Sequence, residues 1–148
     1  MASTEIISED TNVEDNIFNF KLSLEPENDD GNTEYKLRLT DLDDEKISKR
    51  ATQLKFRVNE GSGEAFYYIG VQDDGTLLGI NEEQYQESCL NLNKIAERVN
   101  CRVIKLTERI QGNSYIGEFL VRENETMSNS INLQILSLIH ISEPTRPY

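Results

Sequence analysis

Between residues 43 and 122 the apolar pattern changes period three times, and this alternation limits the fold more than any single motif does. Ile47, Ala51, Leu54 and Val58 recur at 4-3-4 spacing, which gathers them on one side of an α-helix. Thr40-Asp41-Leu42-Asp43 offers a capping box at its start. Gly61-Ser62-Gly63 supplies residues suited to left-handed geometry at its end. Residues 64–71 (EAFYYIGV) are aromatic and β-branched, which predicts a strand. Asp73-Asp74-Gly75 is turn chemistry, so residues 76–80 are expected to return as the antiparallel partner. The signals then recur in the same order. Asn81 and Gln84 hold the reciprocal positions of a capping box, with Ile80 and Tyr85 spaced as a hydrophobic staple. Tyr85, Cys89, Leu92, Ala96 and Val99 form a second helical stripe. Residues 101–110 and 115–122 read as a hairpin around Gly112-Asn113.

The order helix, hairpin, helix, hairpin predicts an α+β class. A small α-β-β-α-β-β domain is expected, with a four-stranded, mainly antiparallel sheet and two helices on one face. Residues 35–122 suffice for one such core. The formal net charge of −12 is carried mostly ahead of it: residues 1–34 hold ten Asp and Glu against Lys21. That stretch is expected to be a disordered acidic leader, since its apolar content is too sparse to offset the entropy of ordering. Its apolar patch Ile17, Phe18, Phe20, Leu22, Leu24 reads as a transient cluster or a docking stretch.

No basic-then-apolar leader marks a secretory signal, and no apolar run is long enough to span a bilayer. Cys89 and Cys101, without metal spacing, read as reduced thiols, so a cytoplasmic protein with no membrane partner is expected. Residues 136–148 (LSLIHISEPTRPY) resemble one reading frame of the adapter added to DNA by transposase-based library preparation, in order over 136–146. On that reading they are not native, and the natural sequence breaks near Ile135. The other reading is a C-terminal apolar strand ended by Pro144. The one histidine, His140, lies in this stretch, which leaves no histidine-based dyad or metal site elsewhere.

Chemistry-bearing motifs are few. No G-x-x-x-x-G-K-[ST] occurs. Gly61-Ser62-Gly63 follows a helix and precedes a strand, the reverse of a phosphate cradle, so it reads as a cap. Asp73-Asp74 reads as turn chemistry before a metal pair. Tyr67 and Tyr68 read as sheet packing before a base-stacking platform. The first helix carries Lys46, Lys49, Arg50, Lys55 and Arg57, with Lys36 and Arg38 upstream. These five helix residues are the candidate contact to RNA or the ribosome, against the alternative of a solvated helix face. Catalytic, cofactor-binding and metal-binding residues are assigned to none.

The run from 60 to 80 (EGSGEAFYYIGVQDDGTLLGI) resembles the E-G-x-G-E-x-x-Y-x-I-G-x-x-D-D-G-x-x-x-G-[IL] stretch ahead of the G domain in the GTP-binding protein 1 and 2 family, elongation-factor-like translational GTPases. The similarity runs in register over 35–122. It includes Leu106-Thr107-Glu108-Arg109 and Phe119-Leu120-Val121-Arg122, which resemble that family's L-x-E-R and Y-L-V-R strands. The resemblance implies an accessory domain at 35–122, followed at 123–135 by a linker and the truncated first strand of a missing G domain, with Ile131-Asn132-Leu133-Gln134-Ile135 as that strand. An intact parent would then bind GTP and Mg²⁺ and hydrolyse GTP in translation or in mRNA and ribosome quality control. None of the family's nucleotide-binding residues falls on this chain, so the chain itself is expected to hold no cofactor. The partners implied are ribosome or RNA and the chain's own G domain; no DNA is expected. Two alternatives stay open: a stand-alone protein- or RNA-binding module, and an enzyme. The second arises because the hairpin 68–80 also resembles the I-G-V-x-D-D-G-x-x-x-G-[IV] hairpin of AlbA-like Schlafen-type domains, some of them nucleases.

Overall fold

Local signals in the chain set both helices. The computed structural model describes residues 23–125. Helix α1 spans Asp44–Glu60 and α2 spans Glu82–Arg98. The strands are β1 (Thr33–Lys36), β2 (Glu64–Ile69), β3 (Cys101–Gln111) and β4 (Ser114–Glu123). At the start of α1 the capping residue is Asp43, whose carboxylate accepts from the Lys46 N–H at 2.9 Å. Thr40 is not the cap, because Asp41 turns the chain with φ +56° before the first helical residue. Acids at Asp44 and Glu45 then face the positive end of the helix dipole. At the other end Ser62, not Gly61, takes the left-handed conformation, with φ +57°. Gly61 is needed for space: a Cβ there would run into the Glu64 carbonyl and the Asn32 side chain. Helix α2 begins as expected, with Asn81 and Gln84 exchanging side chain and backbone bonds at 2.8 and 3.3 Å.

The sheet has the expected four strands, but one differs in identity. Its order is β1-β2-β4-β3, with β1 parallel to β2 and the other two pairings antiparallel. Residues 76–80 do not form the returning strand. Beyond a bridge from Ser23 to Thr76, they make only the isolated bridges Val71–Leu77 and Ile80–Tyr115. Both edges of β2 are already taken, by β1 on one side and β4 on the other. The fourth strand is β1, joined to β2 through α1 in the crossover that parallel neighbours require. The order is therefore β-α-β-α-β-β.

Register sorts the side chains into two faces. Ala65, Tyr67 and Ile69 of β2 point the same way as Phe119 and Val121 of β4, and both helices cover that side. Leu54, Val58, Leu92 and Ile95 are fully buried there. Each such burial stabilises the fold by about 1.5–3 kcal/mol. Tyr67 is 1% exposed, a packing residue and not a stacking platform. On the opposite face Tyr35, Val71, Leu77 and Ile116 form a second cluster, joined by Leu24 and Tyr68.

Residues 23–34, the last part of the expected leader, pack on the domain instead. Leu24 donates to Gly75 at 2.7 Å and Glu27 to Asp73 at 2.8 Å. Residues 1–22, the expected strand at 131–135 and the tail at 136–148 lie outside the described residues.

Candidate nucleic-acid interface on the first helix

The five basic residues singled out on α1 do not act as one patch. Lys46 and Lys49 are exposed one turn apart on the N-terminal half of the helix, and neither forms an ion pair among the described residues. Arg50 follows them but is partly enclosed, its Nε shut away from solvent without a hydrogen-bond partner among the described residues. Lys55 pairs with Glu123 of β4 at 3.3 Å. Arg57 is 5% exposed and serves the fold. Its Nε donates to Glu34 at 2.8 Å, while Nη1 donates to the carbonyls of Asp29, Asp30 and Gly31 at 3.0–3.2 Å. Glu27 approaches Nη2 at 3.8 Å. Upstream, Lys36 is drawn to Glu34 at 3.3 Å and Arg38 is exposed.

Around Arg57 a cleft of about 500 Å³ is rimmed by Glu27, Asp29 and Asp73, which disfavour a phosphate. Burial lifts the Glu27 carboxyl above its ordinary value, against the Tyr35 N–H, which donates to it at 2.7 Å and pulls it down. The nearby charges of Glu34 and Asp73 raise it further. At the other end of α1, Lys46 and Lys49 are exposed beside the exposed acids Asp43, Asp44 and Glu45.

Sequence reasoning missed two positioning residues. Ser88 and Asn91 sit within the apolar stripe of α2 and are buried. The Ser88 hydroxyl accepts from the Leu39 N–H at 2.8 Å, and Asn91 donates to the Leu39 carbonyl at 2.7 Å. Together they satisfy both backbone groups of a residue with no exposure, and so hold the β1–α1 connection against α2. Arg57 carried a readable sign: it falls three residues after Leu54, on the flank of the buried stripe.

Among the described residues, no three His, Cys, Asp or Glu side chains are grouped to hold a metal ion. Cys101 is buried and Cys89 partly so, both as free thiols. Burial pushes both thiols up, away from nucleophilic use. No described helix is long and apolar enough to cross a membrane.

These features define a small α+β domain, a four-stranded mixed sheet with two helices on one face. No family model and no solved structure matches the chain. Human GTP-binding protein 2 is 44% identical over 86 residues, which are 58% of this chain and 14% of that protein. GTP-binding protein 1 of Xenopus laevis is 35% identical over 72 residues, 49% of this chain and 11% of that protein. Uncharacterized protein R625 of Acanthamoeba polyphaga mimivirus is 32% identical over 102 residues, 68% of this chain and 55% of that protein. Over about half its length the chain is a homologue of GTP-binding proteins 2 and 1, and it fits a part of that family.

Proposed function

We propose that this domain is an accessory module ahead of the G domain in a cytoplasmic protein that binds and hydrolyses GTP and acts in translation or mRNA and ribosome quality control. The observation that carries the reading is the 44% identity to GTP-binding protein 2 over 86 residues. In such a parent GTP and Mg²⁺ belong to the G domain; this chain has no phosphate-cradling motif and contributes no ligand to either. Its own part is contact with ribosomal or messenger RNA through Lys46 and Lys49, with the remaining surface of the domain available to the G domain.

Charge reversal at both lysines (Lys46→Glu, Lys49→Glu) in the intact parent tests the RNA part. Weaker binding is expected, with the salt slope of log affinity reduced by about 0.7–0.9 for each phosphate that is no longer neutralised. Binding and slope identical to wild type would contradict it. A second reading, a stand-alone binding module, is favoured by the viral relative. There 102 matched residues already make up 55% of the protein, so the domain also occurs in a much shorter setting.

A further inference from the structure

The sheet ends on a long strand with one open edge. β3 (Cys101–Gln111) pairs with β4 along one side; along the other, no strand pairs with it among the described residues. Such an edge presents outward N–H and C=O groups, the complement of another extended backbone. Residues 101–105 are regular, ahead of the register shift between Lys105 and Thr107. A cavity of about 260 Å³ lies beside this edge, between α2 and the sheet. Gln86 and Asn93 of α2 and Lys105 and Glu108 of β3 contribute its polar lining. Lys105 and Glu108 are in register with Phe119 and Gly117, so both lie on the helix side of the sheet. Exposed apolar side chains border it. Leu106, 43% exposed, follows Lys105, and Leu90, 64% exposed, falls between Gln86 and Asn93 on one helix face.

The cavity is polar and electrically balanced. Lys105 Nζ and the Glu108 carboxylate pair at 3.0 Å. Tyr85, also in the lining, adds a third group. It is 3% exposed, and its hydroxyl lies against Gly117, where a Cβ would collide with it. Gly117 is the β4 residue opposite Glu108. The hydroxyl is closed to solvent and has no hydrogen-bond partner among the described residues. Burial, then the neighbouring Glu108 carboxylate, raises the phenol above its ordinary range, so it keeps its proton and stays a donor. A buried donor of this kind calls for an acceptor.

We propose that β3 accepts an extended segment of a partner protein as an added strand, with one glutamine of that segment seated in the cavity between α2 and β3. Alternate side chains of a strand added there point to the helix side, toward the cavity. An ionised side chain would upset the balance, because an acid meets Glu108 and a base meets Lys105. A carboxamide suits both: its carbonyl accepts from Lys105 and the Tyr85 hydroxyl, and its N–H donates to Glu108. Glutamine is the longer of the two carboxamide residues, which suits a cavity whose spare donor is buried. Backbone pairing then supplies affinity, and the cavity selects the side chain. This surface uses neither Lys46 nor Lys49.

Titrating the isotope-labelled 148-residue chain with the end-capped peptide TVTQTVT, followed by amide resonances, tests this. Shifts that saturate at millimolar peptide are expected at residues 101–106 and 85–93. The outward amides of 101–106 should also exchange about tenfold more slowly. Replacing the peptide's glutamine by alanine should weaken binding about tenfold, and N-methylating alternate peptide bonds should abolish it. In a Lys105→Ala, Glu108→Ala double variant the glutamine and alanine peptides should bind alike, with unshifted α1 amides reporting that the domain stays folded. Four results would each overturn the proposal. They are no shift at millimolar peptide, equal binding of the N-methylated peptide, no preference for glutamine in the wild-type chain, and β3 protection in the free chain that is lost on dilution, as a second copy would produce.

Discussion

Arg57 gathers five acceptors that come from one stretch of chain, residues 27–34, and so fixes that stretch on α1. Its side chain and that of Glu34 are 6% and 7% exposed. Arg57→Ala leaves the buried Glu34 carboxylate with Lys36 as its remaining ion pair and removes the donor to three carbonyls, and should cost about 3 kcal/mol in a denaturant titration. Arg57→Lys should recover little of it, since an ammonium cannot reproduce the planar fork. Glu27 gives a pH signature. Its folded pKa is raised above the ordinary 4.5 by burial, so the folded chain holds that proton more tightly than the unfolded chain. Its contribution thus favours folding at low pH and is lost as pH rises through the raised value. Asp74, lowered by the Thr76 N–H that donates to it, runs the other way, losing its contribution as pH falls. Glu27→Gln should flatten the first slope and leave the second, as read from thermal midpoints measured across pH 3–8 in steps of about one unit. Arg57 shows why single-residue roles are harder to read than helices. Its charge suggests a surface contact, but the partners that bury it lie more than twenty positions away, where sequence spacing carries no signal.

Helices α1 and α2 are legible because their stripes, caps and stops are local. Spacing alone pairs Asn81 with Gln84, and the two residues bond in that way. Asn81→Ala should cost about 1 kcal/mol in the same titration, with fraying of the first turn of α2 visible by amide exchange. The β3–β4 hairpin is equally legible, although the register shift between Lys105 and Thr107 is not. At the first hairpin the local pattern misleads. Turn chemistry at Asp73-Asp74-Gly75 is real, with Gly75 donating to Gln72 at 2.8 Å, but a turn does not guarantee a ladder. What decides the pairing is competition for the edges of β2, won by β4 and by a four-residue strand, TEYK, with no alternation to announce it. Parallel pairing through a helix is a long-range outcome that local pattern does not encode.

At the scale of the whole molecule, charge and apolar surface are segregated. A chain with a formal net charge of −12 keeps Lys46 and Lys49 on one helix face, without an ion pair among the described residues, and places ten acids in its first 34 residues. On the proposed reading an anionic partner meets Lys46 and Lys49, against the chain's net negative charge. On the same reading, the chemistry that the relatives' names carry lies outside this chain, which has no nucleotide loop. The most direct test is to sequence the source transcript through and beyond codon 135. The expected result is an open frame that continues the apolar-polar sequence of residues 131–135 and then enters G-x-x-x-x-G-K-[ST]. A natural stop soon after codon 135, or a continuing frame without that motif, would contradict it.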